Sequence, residues 1–230
     1  MFKNIFIAIY PTTCISCRKF TKSTFDICDE CLPKFEVIDV PTCRKCGLPL
    51  ENCDCKRFYY RFNGIVAPFF NTSVAKDAIY NFKFNGYISA SGFFTKYMVQ
   101  FINKRFNNVD FDYVIAVPMK TLSRWQRGYN QAEVLAHKIA KQLNVKHYKY
   151  AIKKLKDVKV QHDLRLEERF ANVRGAFKLK DKKKFKNKTV LIIDDIKTTG
   201  ATLDECARIL LLAGAKEVFC ATATITERNF

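Results

Sequence analysis

The hydrophobic rhythm of the chain changes near residue 64. Before that point apolar residues are scattered among cysteines, and neither a helical nor a strand period is sustained. One exception is the short apolar stretch Phe2–Tyr10. It carries one Lys and runs into Cys14 without a small-residue cleavage site, so it reads as a first helix or strand and not as a signal peptide. From Gly64 onward strand and helix patterns alternate. Ile65–Phe70 is a short apolar strand. Ser73 opens a helix to about Phe84 with Val74, Ala78, Ile79 and Phe82 on one face, and Gly86 ends it. A second helix covers Ala90–Phe106, and Tyr113–Val117 is a buried strand closed by Pro118. Asn130, with Glu133 three residues on, is a capping-box pattern. It opens a helix whose apolar face is Ala132, Leu135, Ala136, Ile139 and Leu143. Lys149–Leu155 reads as another strand, Gln161–Arg174 as a loop plus a short helix, and Lys180–Lys188 as a solvated basic turn. Val190–Ile193 is a continuous apolar run, the mark of a strand buried on both faces. Gly200–Ala213 is helical with Leu203, Ala207, Leu210 and Leu211 inward, and Glu217–Ile225 is a last strand. The alternation predicts an α/β domain on a mainly parallel sheet, residues 61–230, behind a small cysteine-rich domain, residues 1–60.

Composition narrows the classes. The chain is 48% hydrophobic and 27% charged with only 8 Gly and 6 Pro, which excludes wholesale disorder. No apolar run approaches the roughly 18 residues that a membrane span needs. With no export signal the expected compartment is the reducing cytoplasm, where cysteines are metal ligands before they are disulfides. The net charge is +18, and it is uneven: residues 1–60 hold nine Lys/Arg and seven Asp/Glu, residues 61–230 thirty-one and fifteen. Most of the surplus lies in 138–188, with eighteen bases against five acids. Two readings fit: a polyanionic partner such as nucleic acid or a phosphorylated ligand, or free use of Lys by an AT-rich genome.

Eight of the ten cysteines fall in four pairs: Cys14 and Cys17, Cys28 and Cys31, Cys43 and Cys46, Cys53 and Cys55. Two thiolates from a Cys-x-x-Cys knuckle meet one metal, and two knuckles complete a tetrahedral site. Four pairs therefore supply two structural zinc sites. The pairing is either sequential or cross-braced, and the final Cys-x-Cys departs from the usual spacing. Gly47 suits the sharp turn behind a metal-bound Cys46. A segment of about 60 residues this poor in core needs such a staple. Cys206 and Cys220, in the later helix and strand, read as plain core cysteines.

The most specific stretch is Val190–Thr202. A buried strand delivers Asp194 and Asp195 to its carboxyl end. A tight loop follows, and Lys197, Thr198, Thr199, Gly200, Ala201 and Thr202 open the next helix. Free N–H groups, hydroxyls and the helix dipole suit a phosphate there, and Gly200 lets it approach the backbone. Paired carboxylates suit a vicinal diol. The local chemistry asks for a ribose 5-phosphate.

These residues resemble the signature of type I phosphoribosyltransferases, which bind phosphoribosyl pyrophosphate (PRPP). Val117–Lys120 with Arg124, Arg127, Gly128, Tyr129, Asn130 and Gln131 resembles the pyrophosphate-loop region of the ComF/GntX branch. Gln161, His162, Leu164, Arg169, Asn172 and Gly175–Phe177 resemble its flexible-loop segment, and Lys83 matches its early Lys at a helix end. The spacing Lys159-Val-Gln161 departs from the Lys-x-x-x-Gln frequent in that family. With the zinc ribbon, the likeness spans nearly the whole chain. The resemblance implies that Asp194 and Asp195 hold the ribose hydroxyls, directly or through Mg²⁺. It implies that residues 197–202 hold the 5-phosphate, and that Pro118, Met119, Lys120, Arg124 and Arg127 face pyrophosphate. Arg127 has an equal alternative, pinning the turn before Asn130. Gln161, His162 and Arg169 would belong to the flexible loop.

Three functions remain open at this stage. The chain is a transferase for an unidentified acceptor, a non-catalytic PRPP binder serving natural competence, or a scaffold for single-stranded DNA. The resemblance adds other competence proteins as partners. Phe58, Tyr59, Tyr60, Tyr148 and Tyr150, each near basic residues, are candidate base-stacking positions.

Overall fold

The computed structural model describes residues 12–23, 26–119, 125–155 and 166–227. The expected N-terminal element Phe2–Tyr10 lies outside them. The ribbon contributes a short antiparallel pair, β1 (Thr12–Thr13) and β2 (Phe20–Thr21). There follow β3 (Gly64–Val66), β4 (Phe69–Phe70), α1 (Ser73–Phe84), α2 (Ala90–Arg105), β5 (Tyr113–Ala116), α3 (Gln131–Leu143) and β6 (Lys146–His147). The chain continues through β7 (Ile152–Lys154), α4 (Leu166–Val173), β8 (Phe177–Leu179), β9 (Thr189–Lys197), α5 (Ala201–Leu212) and β10 (Glu217–Ile225). The main sheet runs β3-β10-β9-β5-β6 with every neighbouring pair parallel, and β4 adds in parallel to β10 beyond β3. Pro68, which has no N–H for a ladder, separates β3 from β4. Residues of both parities in Val190–Ile193 are fully buried, so protein covers both faces of β9. The α/β class and the parallel sheet are as the alternation predicts.

Three local differences have physical causes. β9 outruns its apolar stretch by four residues because β10 keeps pairing with it, Thr222 with Asp194 and Ile225 with Lys197. β7 stands outside the main sheet and pairs antiparallel with β8, which is too short for a period-2 pattern to reveal. The basic turn 180–188 is anchored rather than wholly solvated: Phe185 is buried, with ring centroids 5.6 Å from Tyr113 and 5.4 Å from Tyr148. The helix caps follow the chemistry. Asn130 Oδ1 accepts from the Ala132 N–H at 3.1 Å, which starts α3 where the capping box places it.

The buried core is continuous across residue 60, from Cys14 and Ile15 to Ile225. Phe35 of the ribbon packs edge-on against Phe69 and Phe93, and Val37 bridges antiparallel to Phe69. Asn81 of α1 is the polar bolt of this junction. Its Nδ2 donates to the carbonyls of Ile15 (2.8 Å) and Ser16 (3.0 Å), inside the first cysteine knuckle. Its Oδ1 accepts from Arg18 Nε (3.0 Å) and Asn85 Nδ2 (2.7 Å). Replacing Asn81 by Ala strands two carbonyls that this amide satisfies. We expect Asn81→Ala to destabilise the protein by about 2 kcal/mol or more, read as a lower urea midpoint with an unchanged m-value; an unaltered midpoint would show that the bolt carries nothing.

Candidate functional site

The cysteines gather into two groups. Cys14, Cys17, Cys28 and Cys31 form one, Cys43, Cys46, Cys53 and Cys55 the other, with all four sulfurs of each within 4.8 Å of one another. The sequential pairing is therefore the one adopted. All ten thiols are free. Sγ–Sγ distances are 3.6 Å for Cys17–Cys28 and 3.7 Å for Cys43–Cys55 and Cys46–Cys53. A tetrahedral zinc with Zn–S of about 2.3 Å has an edge of about 3.8 Å, so both groups fit a Zn(Cys)₄ centre. The crowding needs a cation. Burial first, and then the Cys28 and Cys17 thiols, push Cys31 up to about 12. Burial likewise raises Cys46 to about 12, against the N–H groups of Leu48 and Asp54 that favour its thiolate. Gly47, at φ +78°, makes the expected turn, and a Cβ there would lie 2.9 Å from Ile65 Cγ2 of β3. Cys206 and Cys220 are wholly buried, and burial holds both thiols far above their usual range, as core cysteines.

The carboxylates lie at the carboxyl end of β9. Pairing with β5 stops at Ala116 and Ile193, so Asp194 and Asp195 project past that neighbour. Consecutive strand residues leave the chain in opposite directions. Asp195 Oδ1 meets Lys83 Nζ of α1 at 2.9 Å. Asp194 Oδ1 accepts from the Asp195 N–H at 2.9 Å. Desolvation and the Asp195 charge push the Asp194 carboxyl up to about 7, against the opposing pull of Lys83 and of Lys154 in β7. Next comes the loop. Gly200, at φ +80°, caps α5, and a Cβ there would fall 3.0 Å from Tyr60 Cε1. Thr199 is buried, and its Oγ1 accepts from the Ala201 N–H at 3.3 Å, so it starts the helix. Thr198 is exposed and Thr202 half-buried at the mouth. Lys197 and Ala201 are buried, with Lys197 Nζ 5.3 Å from the Tyr60 ring centre.

Pro118 and Met119 follow the end of β5, beside these carboxylates in the sheet order. They line a cavity of about 320 Å³ with Asn130, Glu133, Tyr150, Lys153, Lys154 and Lys180. Lys120, Arg124, Gln161 and His162 lie outside the described residues. Arg169 falls in α4, with its side chain outside the described set. Arg127 lies flat over Phe84, guanidinium carbon 4.3 Å from the ring centre, at the end of the helix that carries Lys83. Two stacking expectations are corrected: Tyr60 is fully buried, and Tyr148 packs on Tyr113 and Phe185. Phe58 is half-buried and stacked on Phe170 at 5.6 Å. Tyr59 is 81% exposed, and Tyr150 lies at the surface with Lys149 and Lys180 within 5.6 Å of its ring centre. Sequence reasoning placed Lys83 only by family likeness, and it missed the buried Asp54–Tyr60 contact, for which no local pattern gives a signal.

Residues 130–228 match the phosphoribosyl transferase domain, and residues 5–58 match the double zinc ribbon domain. Competence protein F of Haemophilus influenzae is 33% identical over 106 residues, 46% of each chain. DNA utilization protein YhgH of Escherichia coli is 30% identical over 116 residues, 50% of each. Competence protein ComFC of Streptococcus pneumoniae is 26% identical over 198 residues, 84% of each. The chain is similar to ComF-type proteins in both of these parts. It spans about half the length of the first two relatives. Among solved structures, glutamine PRPP amidotransferase from B. subtilis is 20% identical, covering 59% of this chain and 26% of that one, with a TM-score of 0.40. The chain thus joins a part that matches the double zinc ribbon to a part that matches the phosphoribosyl transferase domain. No helix among the described residues is long and apolar enough to cross a membrane.

The raised Asp194 pKa sets a sign. Between the unfolded value near 4 and the folded value of about 7, the native state holds more protons than the unfolded chain, so stability falls as pH rises through that window. Asp194→Asn removes the charge that causes the fall. We expect the variant to melt higher than wild type at pH 8, by on the order of 1 kcal/mol or roughly 2–4 °C, with a smaller gain at pH 6. Calorimetric melting at the two pH values checks this; equal melting temperatures at pH 8 would contradict the desolvated carboxylate.

Proposed function

We propose that this chain binds PRPP with Mg²⁺ at the carboxyl end of β9. In this reading it serves DNA uptake and handles incoming single-stranded DNA in the cytoplasm alongside other competence proteins. The observation that carries the ligand assignment is the succession of two carboxylates, a left-handed glycine and a helix N-terminus on one strand–loop–helix. Asp194 and Asp195 straddle the strand end and accept from the ribose hydroxyls. The N–H groups and hydroxyls of residues 197–202 face the 5-phosphate. Lys83, already at Asp195, and Lys154, whose charge reaches Asp194, offset negative charge around the sugar and pyrophosphate. Pro118, Met119, Lys120, Arg124 and Arg127 take the pyrophosphate side, and Gln161, His162 and Arg169 take the roles of the family's flexible-loop segment. Two crowded carboxylates fit a hydrated dication, and Mg²⁺ would supply charge neutralisation between diol and pyrophosphate.

The DNA role draws on the competence and DNA-utilization names of the relatives and on the surplus of bases after residue 60. Exposed rings flanked by cations, Tyr150 with Lys149 and Lys180 and Phe84 with Arg127, suit stacking against a single strand.

A second reading, transfer to an acceptor, is favoured by the Asp194 carboxyl near neutrality, which suits proton exchange. In that reaction the C1–oxygen bond breaks and pyrophosphate leaves with its electron pair. The acceptor's lone pair forms the new bond to C1, and its proton passes to a base such as Asp194. The chain's own contribution is positioning and charge stabilisation.

Two measurements test the proposal. Asp194→Asn with Asp195→Asn should weaken PRPP binding at least about 100-fold in calorimetry, from two charge-assisted hydrogen bonds, with circular dichroism unchanged. Unaltered affinity would remove the site. Affinity for a single-stranded oligonucleotide should fall linearly in log–log form with salt, about 0.7 per phosphate contact, and a flat line would remove the electrostatic partner. The same mixture with PRPP and Mg²⁺, assayed for free pyrophosphate, decides between binding and transfer.

A further inference from the structure

Tyr60 ends the connector between the second cysteine cluster and the sheet, and its surroundings are unusual for a linker residue. The ring is fully buried. Its single hydroxyl proton is shared between Asp54 Oδ2 at 2.8 Å and the carbonyl oxygen of Thr199 at 3.2 Å. Asp54 stands between the ligands Cys53 and Cys55; its carboxylate is turned to Tyr60, while its N–H points to the Cys46 sulfur. On the far side, the ring face sets how close Gly200 and Lys197 approach. The next residue continues the clamp. The Arg61 N–H donates to Asp204 Oδ1 at 2.5 Å, and the Arg61 guanidinium pairs with the same carboxylate in the first turn of α5.

We propose that Tyr60 is a positioning residue that aims the phosphate loop. The reasoning is geometric and rests on the assignment of residues 197–202 to a phosphate. A trans peptide unit is planar, and its C=O and N–H point in opposite directions. Holding the Thr199 carbonyl inward against Tyr60 turns the Gly200 N–H outward, to the side where the anion is read. Gly200 has no Cβ to bar rotation of that peptide, so the hydroxyl selects the orientation. The backbone wrapped around the second Cys₄ group is then also the part that sets the loop.

Tyr60→Phe isolates the hydroxyl, because the ring and its contacts with Gly200, Lys197 and Phe62 remain. Two readouts are taken on the full-length, zinc-loaded chain. Hydrogen exchange at the Gly200–Thr202 amides, without ligand, should quicken about five- to tenfold, with the β9 and β10 core amides unmoved. PRPP affinity should weaken by a similar factor. Asp54→Ala leaves the hydroxyl proton wholly to the Thr199 carbonyl, so exchange at these amides should stay at the wild-type rate or slow. Unchanged exchange in Tyr60→Phe, an equal quickening in Asp54→Ala, or quickened exchange with wild-type PRPP affinity would each overturn the proposal. If wild-type protein binds no PRPP, the ligand assignment falls, and the exchange comparison still decides whether Tyr60 holds the loop.

Discussion

Two carboxylates on consecutive residues at the end of a buried strand repel each other and are partly desolvated, and much of the molecule is arranged around that conflict. Lys83 answers it for Asp195, and the Asp195 N–H answers it for Asp194. For Lys83 to arrive there, the carboxyl end of α1 must be held still. Tyr129 donates to the Phe82 carbonyl, and Gln131 reaches the carbonyls of both Phe82 and Lys83. The turn before α3 therefore serves the carboxylates through α1. Desolvation of Asp194 is the part left unanswered, which is the usual mark of a group kept for a ligand rather than for the fold.

The ribbon is the second wall of this arrangement. It is too poor in apolar residues to close a core of its own, and two metal centres substitute for one. Yet its few large side chains, Phe35, Ile38 and Tyr60, enter the same core as the sheet. Asn81 bolts the first knuckle to α1, and Gly47 lets the second lie against Ile65 of β3. Each cluster is thus tied to a different edge of the candidate site: the first to the helix bearing Lys83, the second to the loop after β9.

Long, strongly patterned elements were legible from residue order. The run Val190–Ile193 declared a doubly covered strand, and Asn130 with Glu133 marked the start of α3 where the cap hydrogen bond now lies. The cysteine spacing announced two four-sulfur groups, but whether they were sequential or crossed depended on folding in space. Residue order put Asp194 and Asp195 at the end of the strand because the apolar run stops at Ile193; only the length of β10 shows that the ladder continues to Lys197. Tyr60 looked like a surface aromatic in a basic connector. Its burial comes from residues 139 and 140 positions later in the chain, Thr199 and Gly200, and no window of neighbouring residues contains that information.

The charge distribution sharpens once the metal chemistry is included. A zinc bound by four thiolates carries two net negative charges, so two such centres convert the ribbon's surplus of two positive charges into a deficit of two. The basic excess then belongs entirely to the sheet domain. Part of it lies at the carboxyl ends of β5 and β9, where Lys153, Lys154 and Lys180 line the cavity and Lys83 meets Asp195. A phosphorylated sugar and a nucleic-acid strand are drawn to the same field. They differ in what holds them afterwards: the sugar needs the two aspartates and an aimed loop, whereas a strand needs only cations and exposed rings. Electrostatic attraction alone would therefore not separate the two proposed ligands, and in the proposed reading selectivity for the sugar phosphate rests on the backbone geometry at Thr199 and Gly200.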